Sequence, residues 1–200
     1  VPSAADDIIG LYRRHAAAWT RARGTRLPER GWLDRFLTLV PTAGTILDLG
    51  CGAGEPIARY LAANGRAVTG VDSAPEMIAL FQHNLPEQRG LVGDMRTLRL
   101  DRAFDGLLAW DSFFHLCPDD QRTMFPIFAA HTRAGAPLLF TSGPDEGEAI
   151  GTFEGEPLYH ASLSPADYTA LLADSSFAVV AHVAEDLDAG GRTIWLARRR

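Results

Sequence analysis

The stretch Ile46-Leu47-Asp48-Leu49-Gly50-Cys51-Gly52-Ala53-Gly54-Glu55-Pro56 reads as a buried strand, a glycine-rich turn and a helix start in immediate succession. Glycines at such a turn let backbone approach a ligand closely. Gly50 and Gly52 lack the Cβ atoms that would collide with it, and the helix N-terminus behind them offers unpaired N–H groups. Twenty-two residues after Gly50, Asp72 ends a second strand, where a carboxylate can accept both hydroxyls of a ribose. After a third strand, Gly93-Asp94-Met95 can offer a carboxylate to an adenine amino group and a backbone N–H to a ring nitrogen. Three such signals at successive strand ends imply a nucleoside-type ligand. A dinucleotide fingerprint would need Gly-x-Gly-x-x-Gly, but position 55 is Glu, which sits poorly beside a pyrophosphate and is tolerable beside an amino acid. A P-loop is excluded, since no Gly-Lys-Ser or Gly-Lys-Thr occurs.

Outward from this turn, β-rich runs at Thr45 to Leu49, Ala67 to Val71, Gly90 to Val92, Phe104 to Ala109 and Pro137 to Thr141 alternate with helical segments at Glu55 to Asn64, Pro75 to Asn84 and Asp119 to Thr132. The alternation predicts a parallel sheet with crossover helices on both faces. Ser73 to Glu76 reads as a capping box with Pro75 at the helix start, and Asp119 and Asp120 place negative charge at the start of a later helix. Near the end, a Ser-capped helix from Ser164 to Asp174 precedes strands at Phe177 to Ala184 and Thr193 to Ala197. The segment Glu185 to Arg192 between those strands is too short for a parallel crossover, so the chain must close in an antiparallel hairpin. The expected fold is therefore α/β: a doubly wound, seven-stranded, mostly parallel sheet whose last strand is antiparallel. Asp6 to Val40 shows a helical pattern anchored by Tyr12, Trp19, Trp32 and Phe36 and broken at Gly24 and Pro28. We read residues 1–40 as a helical cap on a sheet-and-helix core at 41–200, the whole forming one domain.

Composition narrows the partners. Two hundred residues with 46% apolar content suffice for one sizeable core. A net charge of −6 argues against a nucleic acid partner, because phosphate binding draws on clustered cations, and Arg198, Arg199 and Arg200 read as a solvated end. The two cysteines, Cys51 and Cys117, have no partner at metal-ligand spacing, so neither a disulfide framework nor a metal site is expected. No secretory signal or membrane-length apolar run is present, and the expectation is a cytoplasmic protein.

With these motifs in order, the chain resembles the class I S-adenosylmethionine-dependent methyltransferases over roughly residues 44 to 200. Leu47 to Gly54 is similar to their first motif and Gly70-Val71-Asp72-Ser73 to their acidic second one. Gly93-Asp94-Met95-Arg96 resembles the adenine-contacting turn, and Phe104 to Leu116 the segment lining the methionine end. The resemblance implies a Rossmann-like methyltransferase fold and S-adenosylmethionine as cofactor. It implies that Gly50, Cys51, Gly52 and Gly54 approach the methionine portion, with the backbone of Trp110 and with Asp111 facing its amino group. Asp72 would hold the ribose, and Asp94 with Met95 the adenine. Ser73 either caps its helix or joins the ligand, Cys51 contributes backbone and not a nucleophile, and Met77 either flanks the adenine or fills the core. Tyr12 and Trp19 either close over the sulfonium, which an aromatic face attracts as it does other cations, or pack the cap on the sheet. Arg13, Arg21 or Arg23 is a candidate for the cofactor carboxylate.

The methyl acceptor is expected above the fourth and fifth strands, beneath the cap. The long connection Ser142 to Ser162, with several glycines and glutamates, reads as a lid shaping that pocket. Methyl transfer is an in-line displacement that needs alignment and exclusion of water, and a general base only where the acceptor must lose a proton. His115, just beyond Asp111, is the first candidate base and His160 the second; each competes with a structural, hydrogen-bonded histidine. An acidic surface and a short chain point to a small-molecule acceptor, and acidic residues that form no recognisable metal-binding constellation, with only two cysteines, point to a metal-independent reaction. The other readings are a nucleotide-dependent oxidoreductase on a related sheet, disfavoured by Glu55 and the closing hairpin, and a non-catalytic S-adenosylmethionine-binding module.

Overall fold

A computed structural model describes residue 5 and residues 7–200; Asp6, the first residue of the expected helical pattern, lies outside the described residues. Strand formation follows from apolar side chains on both faces of each run, as a doubly covered sheet requires. In β1 (Thr45–Leu49), Leu47 and Leu49 enter one core and Ile46 the other. In β4 (Gly106–Ala109), Leu107 and Ala109 divide from Leu108 in the same way, and in β5 (Pro137–Ser142) Leu138 and Phe140 divide from Leu139. With β2 (Ala67–Asp72), β3 (Arg89–Val92), β8 (Phe177–Asp186) and β9 (Arg192–Arg199) they form one seven-stranded sheet in the order β3-β2-β1-β4-β5-β9-β8. All pairings are parallel except those of β9 with β5 and β8. The predicted terminal hairpin is present.

Helices cover both faces. On one lie α2 (Arg30–Leu39), with Trp32, Leu33 and Phe36 in the core, and α3 (Ile57–Ala63). On the other lie α5 (Pro118–His131), through Met124, Phe125 and Phe128, and α6 (Pro165–Asp174), through Tyr168 and Leu172. Removing a fully buried ring such as Phe36 or Phe140 costs about 3–5 kcal/mol, so these aromatics fix the helices to the sheet. In contrast, α1 (Ile8–Arg23) touches neither large core. Ile8 packs with Tyr159 and Ala161, and Ala16 with Ala74 and Met77, laying the helix across the carboxyl ends of the strands. Its helical geometry breaks at His15.

Two expectations change. Ser142 to Ser162 is not an irregular lid: β6 (Gly147–Phe153) and β7 (Glu156–Ser162) pair as a separate antiparallel hairpin. Ser73 does not cap α4 (Pro75–Asn84): Ala74 is the cap residue, and its N–H is taken by Asp72 Oδ1 at 2.9 Å. Asp72 thereby fixes the chain as it enters the helix, while no side chain caps the first-turn N–H groups of α4. Among the described residues, no helix is long and apolar enough to cross a membrane.

Candidate active site

The carboxyl ends of β1, β2, β3 and β4 open into a two-lobed cleft roofed by α1. The larger lobe encloses about 860 Å³ of empty volume, mouth included. Tyr12 and Trp19 form part of its roof, Gly50, Gly52, Asp72 and Ser73 its floor, and Met77, Asp94, Met95, Asp111 and His115 its sides. The smaller, more polar lobe is walled by Cys51, Gly54, Asp48, Trp110 and Arg23, and shares Trp19, Gly50, Gly52 and Asp111 with the first. The residues singled out in the sequence as cofactor contacts thus border one lobe or the other, and of the three arginines considered for the cofactor carboxylate Arg23 does, whereas Arg13, paired with Glu76, and Arg21 do not. Of the two candidate bases, His115 lines the larger lobe; His160 lines a separate shallow groove with Phe114 and Ser142, its ring 4.9 Å from that of His115.

The glycine loop is held by β2: the N–H groups of Gly50 and Cys51 donate to Val71 O at 2.8 and 3.1 Å. Gly50 has φ +72°, and a Cβ there would stand 2.2 Å from that of Ser112, so only glycine fits. Gly52, at φ +53°, faces open space, which leaves its backbone accessible to a ligand. Its N–H donates to Asp72 Oδ2 at 3.0 Å, so both Asp72 oxygens accept backbone donors and the carboxylate is fixed in direction. Burial raises the Asp72 pKa, and those backbone donors oppose the rise. Asp48, deeper under the loop, has no such help. Burial, with the Asp72 charge adding to it, raises its carboxyl to about 7.

Asp94 is gripped by the guanidinium of Arg96, which also reaches Asp120 at 3.0 Å. Burial works against the Asp94 charge, but the bonds from Arg96 outweigh it and hold the carboxyl below its ordinary range. Asp111 sits at φ +48° and accepts from Arg192 Nε and Nη2 at 2.8 and 2.6 Å.

His115 is locked at both nitrogens. Tyr159 O lies 2.7 Å from Nδ1, and a carbonyl only accepts, so Nδ1 carries the hydrogen. Nε2 therefore accepts the Tyr12 hydroxyl at 2.8 Å. Burial lowers the imidazole pKa to about 4 against the pull of Tyr159 O, so the ring is neutral at pH 7. Burial raises the Tyr12 phenol above its ordinary value, and the charges of Asp72 and Asp111 push the same way. Trp19 meets Tyr12 edge to face at 5.2 Å and meets Phe153 of the β6–β7 hairpin at 5.3 Å. Glu156 of the same hairpin pairs with Arg14 and His15 on α1, at the break in that helix. The hairpin thus packs against α1, the roof, and itself lines neither lobe. Among the described residues, no group of three or more His, Cys, Asp or Glu side chains is arranged to hold a metal ion.

Sequence reasoning missed the Tyr12–His115 bond, the Asp111–Arg192 pair and the part played by Phe153 and Glu156. Only the Arg96 grip had a local signal, its position two residues after Asp94.

Residues 46–135 match the methyltransferase domain family. The Bacillus subtilis (strain 168) protein YqeM, whose methyltransferase name is itself provisional, is 34% identical over 79 residues, covering 40% of this chain and 32% of that protein. The match thus spans about a third of the curated relative's length. Among solved structures, the chain is similar to CalS10 with S-adenosylmethionine bound, an amino pentose methyltransferase of Micromonospora echinaspora. The identity is 23%, the TM-score 0.73, and the coverage 92% of this chain and 96% of that one. It is similar also to DhpI in complex with S-adenosylhomocysteine, at 19% identity and TM-score 0.76 over 98% and 96% of the two chains. These likenesses extend over nearly the whole fold, and the domain match covers the glycine loop and its acidic partners. The match marks residues 46–135 as a methyltransferase domain, and the sheet built around it has the fold of the S-adenosylmethionine-dependent methyltransferases to which the chain is similar.

Proposed function

We propose that the chain binds S-adenosylmethionine across both lobes of the cleft and transfers its methyl group to a small-molecule acceptor without a metal. The observation that carries this reading is the convergence of Gly50, Gly52, Asp72, Asp94 and Asp111 on one cleft at four successive strand ends. The residues fit the cofactor. The open space over Gly52 and the clash that excludes any side chain at Gly50 make a backbone cradle, and the polar lobe beside it carries both acid and arginine, as an amino-acid end requires.

The bound cofactor supplies a methyl group already activated by positive sulfur. The chain's own work is to bind, align and keep water out. Asp72, braced by two backbone donors, presents its free lone pairs to the ribose hydroxyls. Asp94, held by Arg96, and Met95 flank the adenine. The rings of Tyr12 and Trp19 roof the cleft, where an aromatic face attracts a cation. His115 keeps the Tyr12 hydroxyl in place. Its Nε2 is free of a proton at neutral pH but is reached only when that hydroxyl turns aside, so it suits an acceptor that loses its proton readily. His160 supports His115 from behind and does not face the cleft. CalS10, whose acceptor is an amino pentose, supports a small acceptor here.

Incubation with methyl-labelled S-adenosylmethionine, a chelator and a panel of small amines, alcohols and thiols tests the proposal. Label recovered in an acceptor supports it. Label transferred only after a divalent ion is restored overturns the metal-free step, and a cofactor that is neither bound nor consumed overturns the whole reading.

A further inference from the structure

Arg192 opens β9 directly after the turn Gly190-Gly191, and the carbonyls of that turn fix its guanidinium: Nη1 donates to Ala189 O at 3.1 Å and Gly190 O at 3.5 Å. The other side of the fork grips both carboxylate oxygens of Asp111, Nε at 2.8 Å and Nη2 at 2.6 Å. This is the planar, two-bond recognition that arginine provides and lysine does not. The pair is mostly shielded, with side-chain exposures of 30% for Arg192 and 16% for Asp111. Asp111 needs the grip. It occupies left-handed backbone at φ +48°, a conformation unfavourable for a non-glycine residue, and such residues persist where their surroundings over-determine them. Its N–H is pinned as well, by Thr141 Oγ1 at 2.9 Å. Asp111 is also among the few residues that border both lobes of the cleft.

Charge gives the arrangement a second role. Glu55 and Asp111 border the polar lobe beside Asp48, whose buried carboxyl keeps its proton up to about pH 7, with Arg23 the arginine among its walls. Glu29, wholly buried and paired with Arg23, leaves Oε2 without a partner behind it. Without Arg192 this end of the cleft carries an excess of negative charge, unfavourable for a ligand end that bears a carboxylate as well as an ammonium.

We propose that Arg192 is a positioning residue for the amino-acid end of the cofactor: by holding Asp111 in its left-handed conformation and balancing its charge, it shapes the boundary between the two lobes. This rests on the cofactor reading above. Arg192 touches neither lobe and acts through Asp111, and it leaves the adenosine side, built from Asp72, Asp94 and Met95, unaffected.

The test compares two ligands that differ only at that end. S-Adenosylhomocysteine carries the amino acid and 5′-methylthioadenosine lacks it, and calorimetry measures both on the wild-type chain, Arg192→Met, Arg192→Lys, Asp111→Asn and the double variant Arg192→Met/Asp111→Asn. Loss of the two-bond grip should weaken S-adenosylhomocysteine about tenfold or more in Arg192→Met, the size expected of a charge-assisted contact. Methylthioadenosine should stay within about twofold, and Arg192→Lys, which keeps the charge without the fork, should fall between. In the Asp111→Asn background the effect of Arg192→Met should shrink to about twofold, as it must if the two act as a unit. Equal weakening of both ligands would mean a merely structural role and overturn the inference, as would unchanged affinity for S-adenosylhomocysteine. A wild-type chain that binds neither ligand overturns the cofactor reading, and this role with it.

Discussion

Replacing Asp48 by asparagine should make the free protein more stable at neutral and alkaline pH while weakening its ligand. Asp48 is 4% exposed, and burial, with the charge of Asp72 adding to it, raises its carboxyl from an ordinary 3.8 to about 7. Between those values the folded chain keeps a proton that the unfolded chain has lost. Stability therefore falls as pH rises through that window, and the penalty is complete above about pH 7. A difference of roughly three pKa units at 1.36 kcal/mol each sets a ceiling of about 4 kcal/mol. Asparagine has nearly the same shape and does not titrate, but it must bury an amide N–H, which returns about 1–3 kcal/mol of that gain where no partner is found. Urea denaturation of both proteins from pH 4 to pH 8.5, without ligand, should show the Asp48→Asn variant about 2 kcal/mol less stable at pH 4, where only the amide cost counts, and about 2 kcal/mol more stable by pH 8. The same variant should bind S-adenosylhomocysteine more weakly, the usual exchange of function for stability at a strained site. A gap that does not change with pH, or a variant less stable than wild type at pH 8, would refute the reasoning.

Three further outcomes are expected. Asp72→Ala removes the anchor for the ribose and the brace on Gly52, and should lower affinity for S-adenosylhomocysteine at least about fiftyfold by calorimetry; unchanged affinity would remove the ribose assignment. His115 is held neutral with a pKa of about 4 against 6.5 in the unfolded chain, so the unfolded state takes up the proton first and stability drops as pH falls from 6.5 to 4. The loss attributable to this ring is up to about 3 kcal/mol, and a His115→Phe variant should show a flatter acid limb; an identical limb would place the titration elsewhere. Phe153→Ala takes the hairpin ring away from Trp19 and should speed release of S-adenosylhomocysteine in stopped-flow measurements, with little change in association; an unaltered release rate would show that the hairpin does not gate the cleft.

The sheet was legible in the sequence because its strands carry apolar residues on both faces and its turns carry glycine or an acid at fixed offsets. The closing hairpin followed from the shortness of Glu185 to Arg192. The β6–β7 hairpin was not legible: Gly147 to Thr152 is exposed along its length, with glycines and Glu148 interrupting any alternation, so no apolar face marks it as a strand. The cap at α4 was misread because Ala74, not Ser73, takes the cap position, and the nearby side chain that bonds there, Asp72, accepts from the N–H of Ala74 itself. The cofactor side of the cleft was visible because each contact belongs to a strand end. Tyr12 and His115 lie 103 residues apart and Asp111 and Arg192 lie 81 apart, and pairs that meet only through the fold leave no local pattern.

The most direct test of the central claim is a calorimetric titration of the purified chain with S-adenosylhomocysteine and, in parallel, with NAD. The two-lobed cleft predicts saturable binding of one S-adenosylhomocysteine per chain and no measurable heat from NAD. Binding of NAD with no response to S-adenosylhomocysteine would contradict it.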